Sequence, residues 1–361
     1  MSKDAANHQG EPSPAREAFI RNRCWVGYLS PFTVVVPRNE EPFAADLEEI
    51  NDNTYDYGKL SGIVHSMPLG HDGELRMLIC RDGGIAIPIV PSYATKEDVV
   101  DFFNKLFCSL LIGGHLCEAV DTRDIVGGGL LETHSIWPVD VGQSASSSLH
   151  FKLRTKKASN IESIILLKPR HIHLEDFVSR VQLGQKVLTK VTNLTPTFLI
   201  RGITELSWRN WSAALSNLWI TAEQLTDFIW HNLFIGSSAF SIQSLPSRTK
   251  SMHEDNRTWS IAVKQELLFS AGFITESEYA MLYPARQARN KLVHEGKRVE
   301  ESVVMDLVAV VSALMSKASD QSNLLVFKKT ISASWIHKRS KAVVVEDSFE
   351  NWKNVTADGL K

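Results

Sequence analysis

Ala285 to Val299 reads ARQARNKLVHEGKRV, and within it Arg289-Asn-Lys-Leu-Val-His294 brings an arginine, an amide and a histidine together between two apolar helical runs. Polar groups placed there must find partners or do chemistry, because an unpaired polar group in a packed bundle is costly. The flanks set the fold of this half of the chain. Upstream, Ser207 to Leu233 carries Trp208, Trp211, Leu215, Leu218, Trp219 and Trp230 along a helical stripe. Gly236 to Asp255 is polar and predicts a loop, and Thr258 to Ala271 predicts a helix stopped by Gly272. Thr275 with Glu278 makes a capping box for the next run. Pro284 is expected at the first turn of a new helix that ends near His294, with Glu295-Gly296 as its stop. Glu300 to Ser316 predicts the last long helix. Four or five antiparallel helices with short connections predict an all-α bundle over residues 195–320.

Residues 19–180 follow another rule. Short runs rich in β-branched and aromatic residues, 25–28, 32–36, 60–65, 75–80 and 85–90, are bounded by Pro, Asn-Asp and Asp-Gly-Gly clusters and predict strands. Thr95 to Leu111 interrupts them as a helix, with Thr95 and Asp98 at capping-box positions and Gly113-Gly114 as the stop. Ser147–Arg154 and Ile161–Leu167 are expected as two more strands. The fold class is thus an α+β N-terminal module with a β majority, followed by a helical bundle. Residues 1–18 are expected as a disordered leader. In the extension 321–361, Leu324–Phe327 and Ala342–Val345 alternate as a strand pair would.

Composition narrows the function classes. Thirty-nine basic residues against 41 acidic ones leave a net charge of −2, which argues against a general nucleic-acid coat and makes any RNA contact local. Cys24, Cys80, Cys108 and Cys117 form no CxxC pair, so neither a zinc knuckle nor a disulfide framework is expected. No signal pattern opens the chain, and Val303–Met315 is short and carries Asp306. A cytoplasmic protein with no membrane partner is expected. His171 and His173 share a strand face but have no third ligand nearby, so no metal is expected. Gly127-Gly128-Gly129 lacks the Lys-Ser/Thr of a phosphate loop, and no cofactor is expected.

RNA cleavage without a metal needs a base for the ribose 2′-OH, an acid for the leaving 5′-oxygen and a cation for the phosphorane. Histidine titrates near neutrality, and arginine presents a donor fork that fits phosphate oxygens. Arg289, Asn290 and His294 supply these types, but with one histidine, so a symmetric dimer would have to bring in the second. Arg286, Lys291, Lys297 and Arg298 around them predict a cationic lip for RNA, the alternative being a solvated face. A surface Arg/His pair complementing the helix dipole is the bland alternative for the motif itself. Arg289 and His294 lie roughly 140° apart around an ideal helix, so either His294 sits in a frayed last turn or Arg289 reaches to a partner chain. Asn290 and His294 share a face. Arg248…His253 repeats the spacing without the asparagine, in the predicted loop, and is expected to be chance. The tryptophans could stack on bases, but their spacing favours core and dimer packing.

The group resembles the RNxxxH signature of the HEPN superfamily. The run ARQARNKLVHEGKRV, after a Trp-rich helix and before a last helix, is similar to the Apea-like branch over about residues 200–318. FNKLFCSLLIGGHLCEAV (residues 103–120) is similar to a segment that often lies upstream in such proteins. The resemblance implies a metal-independent endoribonuclease with Arg289, Asn290 and His294 at a homodimer interface. It implies Glu223 or Asp227 on the earlier helix as a polar support for Arg289, the alternative being a solvated helix face. It also implies a role in anti-phage defence or a toxin system, with the N-terminal module sensing a regulatory protein or a phage-derived trigger. The alternative is a non-catalytic HEPN-like scaffold that binds a nucleotide, RNA or a protein.

Overall fold

The computed structural model describes residues 22–69, 75–236, 246–321 and 324. The expected leader, and the strand pair expected in the extension apart from Leu324, lie outside them. The N-terminal part is built on β1 (Arg23–Tyr28), β2 (Thr33–Val36), β3 (Ile63–Pro68), β4 (Arg76–Cys80), β5 (Gly84–Pro88), β6 (Val126–Leu131) and β7 (Ser135–Pro138). All but β2 join one antiparallel sheet in the order β3-β4-β5-β1-β6-β7. The sheet curls until its two edges meet: Gly62 bridges Ser135, and the Ile63 amide donates to the His134 carbonyl at 3.0 Å. Period-2 alternation then sorts the side chains. Cys24, Val26 and Tyr28 of β1 point inside the curl with Cys80, Val126 and Ile136. On the opposite face Gly27 leaves room for a helix, since a Cβ there would meet the Phe103 ring at 2.9 Å.

That helix is α3 (Lys96–Ile112), which follows the short α1 (Leu47–Asn51) and α2 (Tyr57–Ser61). Thr95 caps it in a complete capping box with Asp98, as the sequence predicts. The strand expected at 60–65 starts three residues later, because Leu60 and Ser61 close α2, whose N-cap is Asp56. β6 and β7 were not expected. The three glycines of β6 carry no β propensity, but Gly127 and Gly128 pack so closely on Val139 and Val26 that a Cβ would meet either at 2.9 Å.

The two strands expected at 147–154 and 161–167 are helical instead. They form α4 (Ala145–Arg154), α5 (Asn160–Ser163) and a 3-10 turn, Ile164–Leu166. The cause is capping: Ser144 and Ser159 each accept from the N3 amide, with Ser147 and Glu162 returning the bond. β8 (Arg170–His173) then pairs in parallel with β2, putting Val34 and Val36 into a small second core with Phe32, Tyr55 and Leu60.

The helices that follow are α6 (Leu174–Lys190), α7 (Pro196–Ser207), α8 (Trp211–Phe228), α9 (Pro246–Glu254), α10 (Ile261–Ser270), α11 (Glu276–Glu295) and α12 (Glu301–Ser319). The expected single helix over 207–233 is broken, because Arg209 takes the left-handed conformation (φ 60°) between α7 and α8. Beyond Phe228 the chain continues as a π-helix, Ile229–Ile235. Part of the expected loop is helical as α9, and 237–245 lies outside the described residues. Pro284 does not start a helix. It sits exposed inside a continuous α11, whose Leu282 and Ala285 anchor it to the core on either side.

α3 packs on α6 and α7, α7 on α8, and α8 on α11 and α12. One apolar cluster therefore runs from Ile79 and Ile87 of the sheet through Phe103 and Phe107 to Leu218, Trp230 and Leu314. α12 is long and apolar enough by composition to cross a membrane. In this fold its Val304, Leu307, Val311 and Leu314 are buried in the core.

Candidate active site

α11 positions the Arg/Asn/His group on its last two turns. Helical conformation persists through Glu295, and Gly296 ends it in a left-handed cap (φ 65°) that only a Cβ-free residue takes without strain. His294 therefore stands in regular helix rather than in a frayed turn. Tyr283, Gln287, Asn290 and His294 follow one another at spacings of four, three and four, and all four are exposed. Asn290 and His294 thus share an open face, as the spacing predicts. Arg289 lies on the flank, half-buried, with Nη1 donating to Asn290 Oδ1 at 3.3 Å.

The two carboxylates expected to support Arg289 part company. Glu223 on α8 accepts from Trp219 Nε1 at 2.7 Å. Burial raises its pKa, and the Trp219 hydrogen bond and then the Arg289 charge work against that rise. Asp227 is instead committed to Lys264 of α10, a buried ammonium 2.7 Å away. Burying that charge requires a partner, which takes Asp227 out of the motif.

The surrounding cations are also divided. Lys291 and Arg298 are exposed, and Lys297 pairs with Glu295 at 2.6 Å. Arg286 lies over the Tyr283 ring (5.2 Å to the centroid) and keeps Nη1 buried without a hydrogen bond. Val293, 58% exposed, adds an apolar element to the same end of the helix. The arrangement offers exposed cations around one imidazole, with the Glu295 carboxylate near enough to His294 for the two charges to interact.

Arg248…His253 falls in α9, not in a loop. Its arginine lies over Trp259 (5.1 Å), and His253 stacks on His231 of the π-helix with 3.0 Å between the Nδ1 atoms. Both ends of this second copy are used in packing contacts, Arg248 with the loop residue Trp259 and His253 with the π-helix. Of the tryptophans expected in packing, Trp219 and Trp230 are buried and Trp211 partly so, but Trp208 is 63% exposed. His171 and His173 sit on β8, exposed, with their rings edge to face.

A second polar constellation, which sequence reasoning missed, fills the curled sheet. Asp82 in the β4–β5 turn accepts from Arg154 Nε (2.7 Å) and Nη2 (2.6 Å), and from His150 Nδ1 at 3.1 Å. All three side chains are buried. Burial pushes the Asp82 carboxyl up, but the Arg154 guanidinium and the His150 bond outweigh it and hold the pKa below the usual range. An ionised Asp82 can only accept, so the His150 proton lies on Nδ1. Nε2 is left as a buried lone pair without a partner, beside a Tyr28 hydroxyl in the same state. Only spatial convergence across about seventy residues makes this group, and no local spacing announces it.

Compared with protein-family models, with curated proteins and with solved structures, the chain matches none.

Proposed function

We propose that this protein is a metal-independent endoribonuclease whose active site is completed when two copies meet across the exposed face of α11. The observation that carries this reading is the geometry of the half-site. Asn290 and His294 face outward on one helix face, with Arg289 half-buried on its flank and its Nη1 donating to Asn290 Oδ1 at 3.3 Å. In the proposed reaction one His294 takes the proton of the ribose 2′-OH, whose oxygen attacks phosphorus. The P–O5′ bond breaks, and His294 of the second copy gives a proton to the leaving oxygen. Arg289 stabilises the charge on the phosphorane oxygens, and Arg286, Lys291, Lys297 and Arg298 hold the flanking phosphates. The products are a 2′,3′-cyclic phosphate and a 5′-hydroxyl. On the resemblance to HEPN proteins rests the further reading of a cytoplasmic role in anti-phage defence or a toxin system, with the sheet module as regulator.

The test is incubation of end-labelled RNA with wild type and His294→Ala in EDTA, with analysis of the product ends. Wild type is expected to leave cyclic phosphates. His294→Ala, an exposed substitution that leaves the core untouched, is expected to lose at least about a hundredfold in rate. Intact RNA with the wild type would support the scaffold reading instead, and equal cleavage by the variant would remove His294 from the reaction.

A further inference from the structure

A cleft of about 490 Å³ lies where the curled sheet meets α7, within the size range of small-molecule sites. Its floor is the segment 118–124, which is pinned on both sides. The Ala119 amide donates to Thr204 Oγ1 at 2.7 Å, the Val120 amide to Asn104 Oδ1 at 2.9 Å, and the Glu118 amide to the Ser30 carbonyl at 2.8 Å. The floor is thus preformed.

The charges around it are unequal. Glu118, Asp121, Asp124 and Glu205 line the cleft against Arg123 and Arg201, four carboxylates to two guanidinium groups, a net charge of −2. Arg123 is already bound to Asp121 at 2.7 Å. Among the lining residues Arg201 then stands against Glu118, Asp124 and Glu205, of which Glu118 also accepts from Ser30 Oγ at 2.6 Å and Glu205 from Asn210 Nδ2 at 2.8 Å. At the rim Trp208 is 63% exposed, whereas Trp219 and Trp230 are buried. Its Nε1 donates to Glu118 Oε1 at 3.3 Å, which fixes the indole beside that carboxylate, and Glu205 stands one helical turn away on the same side of α7.

We propose that this cleft binds a small organic cation, an amine or guanidinium compound, with its charge over the Trp208 face and between Glu118 and Glu205. An indole face and adjacent carboxylates are the combination that holds a desolvated ammonium or guanidinium group. The N-terminus of α4, capped by Ser144, and Arg201 would suit a phosphate, but the surplus of carboxylates opposes an anion. Because the cleft joins the β1 end, through Tyr28 and Ser30, to α7, an occupant ties the sheet module to the helices. This inference uses no residue of α11 and stands whether or not the chain cuts RNA.

Titration calorimetry of the full chain with agmatine and with spermidine tests it, with AMP as the anionic comparison and thermal melts alongside. One amine is expected to saturate a single site and raise Tm. Trp208→Ala and Glu118→Gln/Glu205→Gln are each expected to weaken that binding by about tenfold or more, with an unchanged circular-dichroism spectrum. Absence of binding by both amines at millimolar concentration would overturn the proposal. So would binding that these substitutions leave unchanged, or AMP binding that Arg201→Ala removes.

Discussion

Asp82 accepts four hydrogen bonds, from Arg154 Nε and Nη2, His150 Nδ1 and the Gly84 amide, while almost wholly out of water, and that makes the sheet module sensitive to acid. Burial lowers the pKa of His150 against the raising effect of Asp82, so the folded protein holds it neutral below the ordinary value of 6.5. The unfolded chain binds that proton as pH falls through 6.5, and the folded chain does not. Stability is therefore lost as pH drops below about 6.5. His115, which burial lowers to about 3, works in the same direction. Asp82 adds to the loss further down, once pH falls below its unfolded value near 3.8 and toward its depressed folded one. In urea melts from pH 7 to 5, the slope of unfolding free energy against pH is expected to be shallower in His150→Gln than in the wild type. An unchanged slope would mean that His150 is not held neutral. None of this was legible in the sequence, because Asp82 lies 68 residues from His150 and 72 from Arg154. The motif residues were legible, since Arg289, Asn290 and His294 lie within one short helical stretch.

Helices fared differently according to what fixes their ends. α3 and the start of α11 were legible because Thr95 and Thr275 announce themselves with Asp98 and Glu278 three residues on. α4 was misread as a strand because its apolar residues are few, and Ser147 was not recognised as the N3 partner of Ser144. α6 was not delimited at all. Its packing on α3 is closer than propensity suggests: a Cβ at Gly184 would overlap the Ser109 carbonyl. Helix propensity alone would have alanine stabilise that position by about 1 kcal/mol. The contact reverses the sign, and Gly184→Ala is expected to cost about 1–3 kcal/mol in a denaturant melt through overpacking. A more stable variant would show that the α3–α6 crossing is looser than described. The break between α7 and α8 is another tertiary feature. It lies at Arg209, a residue that gives no local signal for positive φ, next to the exposed Trp208.

At the scale of the whole molecule, the sheet and the helices share one apolar core through α3. The two-part division of the sequence thus marks a change in secondary structure within a continuous interior. Gly202 of α7 packs on Leu218 of α8, the helix that also carries Glu223. The open face of α11, with one histidine and a half-buried arginine, makes the proposed nuclease a property of two chains. The direct test is a dilution series in which RNA cleavage in EDTA and molecular mass are measured on the same samples. The account predicts that cleavage per chain tracks the fraction with twice the 40.4 kDa mass of the single chain and vanishes with it. Undiminished cleavage per chain from the 40.4 kDa species, or a stable dimer that leaves RNA intact, would contradict it.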